Sequence, residues 1–241
     1  MLEQFKRFAD WVNSKRRGRA FDFERLVITA AQHKNVHKIL EVGSNVRPIL
    51  SKGPGYELHG LDPDPTIDLE KARAIFDRFH NHTIEDFQTD EKYDIIVINM
   101  VLEHLENNDI VFEKFRAVLN KGGMVLLHIP NNLHPFSIIN RLVSHNLKIK
   151  ILKVLRPWAE VGVITGWKSY YDHCNIWGMK KLAKRHGLKV TKTYTDYNAS
   201  DYFAFFPPLF LLVVLYEELV RLFGIRLLCA YLAMEVVKVS D

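Results

Sequence analysis

The chain has 241 residues, 48% of them apolar and 25% charged, a balance that fits a globular domain and excludes a disordered one. Its two cysteines, Cys174 and Cys229, are too few for a disulfide framework or a zinc site, and a net charge of +5 with a pI near 9.1 is mildly basic. The expectation is one α/β domain over residues 1–241, in a reducing, cytoplasmic setting.

The opening stretches, Leu2 to Trp11 and Phe23 to His33, read as helices, so residues 1–35 form a helical lead. Phe5, Phe8 and Trp11 alternate there with Lys6, Arg7, Lys15, Arg16, Arg17 and Arg19, without the continuous apolar run of a secretory signal. Lys38 to Val42 (KILEV) is the first buried strand, ending at Gly43. Arg47 to Lys52 reads as a short helix or an irregular substitute for one. Tyr56 to Leu61 is a second strand ending at Asp62, Leu69 to Phe79 a helix, and His82 to Ile84 a short third strand. Tyr93 to Asn99 (YDIIVIN) is the clearest strand in the chain. A helix over Asp109 to Leu119 is expected to stop at Lys121-Gly122-Gly123, before a strand over Met124 to Ile129. Met179 to His186, closed by Gly187, is a helix, and Leu188 to Thr195 and Tyr231 to Val239 are the last strands.

Short Val/Ile/Leu runs separated by amphipathic stretches predict crossover units around a mostly parallel sheet. The fold class is therefore α/β: a Rossmann-like, doubly wound, seven-stranded sheet with helices on both faces. Two long stretches, 132–171 and 198–228, follow the fifth and sixth strands as helical insertions, where cover for an acceptor is commonly added.

A buried strand that ends at Gly43, followed after 19 residues by Asp62 at the end of the next strand, is a recognisable arrangement. In a doubly wound sheet these two ends are neighbours, and an acid at the second accepts hydrogen bonds from ribose hydroxyls. The pattern points to a cofactor containing adenosine.

In this order, LEVGSN, LHGLDPD, TIED at Thr83 to Asp86, YDIIVINMVLEHLEN and NKGGMVLLHIPN resemble the motifs of the class I S-adenosylmethionine-dependent methyltransferases. The likeness covers roughly residues 38–190 and is greatest to the branches that modify small molecules and glycans. It implies S-adenosylmethionine as cofactor. Glu41, Gly43, Ser44 and Asn45 then line its methionine portion, Asp62 with Pro63 the ribose, and Thr83, Ile84 and Glu85 the adenine. Asn99 meets the methionine amino end. For Glu41 a second reading is a buried acid satisfied by loop amides; for Glu85 it is a solvated residue at a helix start. Asn45 stands where the family has a second glycine; Asn tolerates a left-handed backbone, so the turn can survive, while a side chain there narrows the space for methionine and weakens cofactor binding.

Methyl transfer from a sulfonium needs an acceptor held in line and, for a hydroxyl, a base. Of the 11 histidines, His104 directly after the fourth strand and His173 in SYYDHCNIWG are the candidate catalytic residues. The alternatives are a loop anchor for His104 and a packing role for His173. His128 reads as a core residue, and His134 as either core or site. No histidine pair has metal-ligand spacing, so no metal is expected.

Tyr202 to Tyr216 (YFAFFPPLFLLVVLY) carries no charge over 15 residues. A spanning helix needs about 20, and Pro207-Pro208 is expected to break the segment. It reads as a helix packed into its own domain, a homodimer interface, or a surface that contacts a membrane or a lipid-linked acceptor. The first two are favoured. Basic residues recur at Lys148, Lys150, Lys153 and Arg156, and at Lys180, Lys181, Lys184 and Arg185. The second set is spaced as a solvated helix face. The functional expectation is methyl transfer to an oxygen or nitrogen of a small molecule, sugar or glycan, or lipid-linked acceptor. The alternatives are an RNA methyltransferase, which no RNA-binding module supports, and a cofactor-binding protein without turnover.

Overall fold

The computed structural model describes residues 2–18, 20–144, 146–147, 150, 168–204 and 206–239. Lys148, Lys153 and Arg156 of the first basic cluster, Phe205, and the part of the first insertion over 151–167 lie outside them. The chain divides into two compact units: Asp22–Ile129, Tyr171–Tyr194 and Ala233–Asp241 form one, and Met1–Phe21, Pro130–Tyr170 and Thr195–Leu232 the other.

The first unit is built on a seven-stranded sheet, β1 (Lys38–Val42), β2 (Glu57–Leu61), β3 (Arg78–His80), β4 (Tyr93–Asn99), β5 (Leu119–Pro130), β6 (Leu188–Asp196) and β7 (Tyr231–Lys238), in the order β3-β2-β1-β4-β5-β7-β6. The pairs β1·β2, β1·β4, β2·β3 and β4·β5 are parallel. Runs such as Ile95 to Ile98 are buried because helices cover both faces of a parallel sheet. The reversal of strand order between β1 and β4 brings their carboxyl ends side by side, where open α/β sheets bind ligands.

Short polar caps start the helices of this unit. Asp22 accepts from the amide of Arg25 ahead of α2 (Phe23–Ala31), and Asp68 from Glu70 and Lys71 ahead of α3 (Leu69–Ile75). Asn107 and Asn175 do the same for α4 (Asn108–Val118) and α6 (Ile176–Arg185). Lys180, Lys181, Lys184 and Arg185 are exposed along α6.

The third strand is not at His82 to Ile84. It lies at Arg78–His80, overlapping the end of the stretch expected to be helix, paired with His59 to Leu61. Phe76 and Phe79 end α3 early by turning onto Gly60, where a Cβ would approach their rings to 2.8–2.9 Å. Nor does Lys121-Gly122-Gly123 cap the helix before it. α4 stops at Val118 and passes straight into β5, whose Leu119 is extended and pairs with Tyr93.

In the second unit α1 (Leu2–Arg17), α5 (Pro135–Leu142) and α7 (Pro207–Leu222) are the described helices. α1 runs six residues beyond the expected end at Trp11. The proline pair opens α7 rather than breaking it, since prolines in the first turn need no amide partner. His134 is the N-cap of α5: its Nδ1 accepts from the Phe136 amide at 3.3 Å, and burial lowers its pKa to about 4. Arg16 is buried between helices, donating to Glu217 at 2.5 Å, Glu218 at 2.7 Å and Ser200 Oγ at 2.8 Å. No helix among the described residues is long and apolar enough to cross a membrane.

Candidate active site

The first ingredient of the site is a turn. Gly43 has φ +74°, and a Cβ there would run into Val101. Glycine is therefore required by the backbone and by Val101 packing, in addition to any need for ligand approach. Its amide donates to Leu61 O at 2.8 Å, which ties the β1 turn to the end of β2. The next contact does the same for the acid: the Asn45 amide donates to Asp62 Oδ2 at 2.8 Å, while the Asp64 amide donates to Oδ1 at 3.0 Å. Each carboxylate oxygen thus accepts one loop amide and retains a lone pair.

Glu41 sits beneath this turn. Its two oxygens accept the amides of Ile49 at 3.0 Å and Leu50 at 2.8 Å, which shapes the irregular 47–52 segment. Burial raises its pKa to about 7 against the pull of those two donors. A cavity of about 140 Å³ opens here, lined by Glu41, Gly43, Ser44, Arg47, Val97 and Asn99 among others. Ser44 Oγ is buried and has no partner.

Asn45 is left-handed, with φ 51°. Its side chain turns away from the cavity: Nδ2 donates to Asp64 at 3.2 Å and Oδ1 accepts the Val46 amide at 2.7 Å. Asn45 is not among the residues that line the cavity.

Glu41, Gly43, Ser44 and Asn99 therefore meet in one cavity, and Asp62 adjoins it through Asn45. Pro63 is exposed. Thr83, Ile84 and Glu85 lie in the turn after β3, which Asn81 ties to Asp62 by donating to its carbonyl at 2.8 Å. Thr83 and Asp86 close that turn on themselves, Ile84 is buried, and Glu85 Oε2 is buried without a partner. Asn99 Oδ1 pairs with His128 Nδ1 at 2.8 Å, so His128 is not simply core: it stacks on Phe23 and braces a cavity residue, its pKa lowered to about 4 by burial.

The two candidate bases stand in adjoining segments, since the Tyr171 amide donates to Glu103 O at 3.0 Å. His104 ends the short 3₁₀ turn Leu102–His104. Its neighbour Glu103 is buried, has an unpartnered Oε2, and is raised by burial to a pKa of about 8. His173 Nδ1 lies 2.6 Å from Asp172 Oδ1. An ionised carboxylate can only accept, so Nδ1 carries a proton, and in the neutral ring Nε2 is the nitrogen that accepts. Asp172 Oδ2 in turn accepts the Asn108 amide at 2.9 Å. Tyr171 and His173 both have positive φ, 57° and 55°, and the turn closes so tightly that a Cβ on Gly178 would collide with His173 O. Sequence reasoning missed Asp172, Arg47 and the bracing by His128. The Asp-His dipeptide before a helix was the one available signal. Among the described residues, no three His, Cys, Asp or Glu side chains gather to hold a metal.

Comparison with known proteins agrees with this architecture. The family described as methyltransferase domain matches residues 12–193. No curated protein sequence matches the chain. Among solved structures, the N-methyltransferase NodS from Bradyrhizobium japonicum WM9, in complex with S-adenosyl-L-homocysteine, is similar with a TM-score of 0.51 at 16% identity, over 90% of this chain and 88% of that one. A putative methyltransferase from Bacillus halodurans C-125 gives 0.55 at 14%, over 90% and 99%. Magnesium protoporphyrin IX methyltransferase (ChlM) from Synechocystis PCC 6803, with bound S-adenosylhomocysteine, gives 0.51 at 12%, over 97% and 82%. At these identities the likeness is one of fold; the family match covers most of the chain. The chain belongs to the methyltransferase-domain family, and so to the class I S-adenosylmethionine-dependent methyltransferases.

Proposed function

We propose that the cavity at the carboxyl ends of β1 and β4 receives the methionine end of S-adenosylmethionine, with Asp62 on the ribose and the Thr83 to Glu85 turn beside the adenine. In this reading the acceptor is an oxygen or nitrogen of a small molecule, a sugar or glycan, or a lipid-linked intermediate, and the enzyme works in the cytoplasm. The observation that carries it is the junction of Gly43, Asn45 and Asp62, where a glycine turn and a carboxylate with lone pairs to spare share one hydrogen-bonded corner.

Two orphaned atoms support the fit. Ser44 Oγ and Glu85 Oε2 are buried without partners, one at each end of the suggested track, and a buried polar atom is stabilised by acquiring a ligand partner. Glu41 faces the cavity as well as the loop, so a cationic amino group bound there lowers its pKa from about 7.

When bound, S-adenosylmethionine supplies a methyl group already made electrophilic by its sulfonium. What the chain contributes is position and a proton acceptor. Asp172 holds the His173 ring in the tautomer whose Nε2 accepts a proton from an acceptor hydroxyl or amine. His104 is the second candidate for that proton, in the segment hydrogen-bonded to the His173 loop.

Calorimetric titration with S-adenosylhomocysteine tests the binding half. Asp62→Ala is expected to weaken affinity by about 10- to 100-fold, the equivalent of losing hydrogen bonds to a charged group; an unchanged affinity overturns the assignment. Incubation with methyl-labelled cofactor and cell extract split into RNA, lipid and small-molecule fractions tests the acceptor half. Label confined to RNA overturns it.

A further inference from the structure

The apolar surface of this protein is not evenly spread. Of the twenty large apolar side chains most exposed among the described residues, fifteen belong to the unit of Met1–Phe21, Pro130–Tyr170 and Thr195–Leu232. The densest part is α7. Leu211, Leu212, Leu215, Leu219, Leu222 and Phe223 are all exposed, Leu212 by 62% and Leu222 by 76%. At 100° per residue these six fall within an arc of about 120°, while the buried Phe210, Glu217 and Val220 fall on the other side. α7 is thus apolar toward its own unit and apolar away from it. A helix of that kind has a second apolar neighbour.

Charge is segregated along the same boundary. The three segments of this unit carry 14 Lys and Arg against 7 Asp and Glu, a net +7, whereas the other unit has 19 against 21, a net −2. Several of the unit's acids are engaged within it: Glu217 and Glu218 by Arg16, and Asp201 by Asn13. Arg7, Lys15, Arg141 and Arg226 are exposed. On α1, Phe8 and Trp11 stack on one another and are exposed, Trp11 by 59%.

We propose that this unit docks the enzyme on an anionic lipid bilayer, with the α7 leucine stripe in the interfacial layer and the unit's exposed cations at the headgroups. Exposed leucine and aromatic side chains with an excess of Lys and Arg are what interfacial binding uses, each part insufficient alone. Electrostatics decides against the other occupant, a second copy of the chain. Stripe-to-stripe pairing brings two +7 units together, whereas phosphatidylserine neutralises them. The inference does not depend on which acceptor is methylated.

The test is sedimentation of the full chain with vesicles of phosphatidylcholine alone and of phosphatidylcholine mixed with phosphatidylserine, alongside analytical ultracentrifugation without lipid. The expected result is binding to the mixed vesicles only, weakened by raising the salt to a short Debye length. The pair Leu212→Glu and Leu215→Glu should reduce partitioning by about ten-fold or more. Arg226→Glu should reduce it less. Retained S-adenosylhomocysteine binding shows that the variants are folded. Absence of binding to the mixed vesicles, binding indifferent to the leucine substitutions, or a lipid-free dimer that those substitutions dissociate each overturns the proposal.

Discussion

Asp172 Oδ1 stands 2.6 Å from His173 Nδ1, and the opposite oxygen of the same carboxylate accepts the first amide of α4 from Asn108. One side chain thereby fixes both the tautomer of the ring and the place of its loop. If His173 takes the acceptor proton, Asp172→Asn should lower kcat by about ten-fold or more, because an amide can offer Nδ1 a donor where an acceptor is required. The KM for S-adenosylmethionine should hardly move. A rise in the KM values for cofactor and acceptor with kcat little changed would instead mark Asp172 as a loop anchor.

Glu103 gives the protein a pH-dependent stability with a definite sign. Its pKa is raised from 4.5 to about 8 by burial, so between those values the folded chain holds a proton that the unfolded chain has released. The contribution is therefore fully present below about pH 4.5 and is lost as pH rises through about 8, at no more than about 1.4 kcal/mol per pH unit. Denaturant unfolding at several pH values should show a steeper decline for the wild type than for Glu103→Gln, which keeps the volume and removes the charge. Parallel curves for the two proteins would refute the buried-acid account.

Arg16 is the corresponding liability in the other unit. Glu217 is fully buried and has the guanidinium at 2.5 Å together with the Ala199 amide at 2.5 Å. Arg16→Ala leaves that carboxylate without its countercharge and should destabilise the protein by roughly 3–5 kcal/mol. The pair Arg16→Met with Glu217→Leu should recover most of the loss, since the empty position and the orphaned charge disappear together. Urea unfolding monitored by circular dichroism measures both.

Much of the sheet was legible beforehand because β1 and β4 are largely buried and are rich in Val, Ile and Leu, with polar residues only at Lys38 and Glu41 in the one and at Asp94 and Asn99, besides Tyr93, in the other. The same rule failed at Arg78–His80, a three-residue edge strand too short to show a period, whose Phe79 stands at helical spacing from Phe76 just before it. Gly43 and Asp62 could be paired from their strand-end positions alone. Asp172 could not, because an acid beside a histidine in sequence gives no direction to either side chain. Arg16 was one of several basic residues in α1, and only tertiary structure distinguishes the one that is buried from those that are solvated. The leucines of α7 showed composition but not which side they faced.

The left-handed backbone at Asn45, Met100, Tyr171 and His173 has a consequence for how this enzyme can change. All four non-glycine residues with positive φ among those described lie in loops that leave β1 or β4 or are hydrogen-bonded to the latter's exit, and such conformations cost on the order of 1–3 kcal/mol each. Selection for heat resistance alone will therefore favour glycine at these positions, relaxing the rim around the sheet's carboxyl edge. On the proposed role of His173 as proton acceptor, selection for turnover will resist it there. Thermal tolerance and catalytic competence draw on the same few torsion angles.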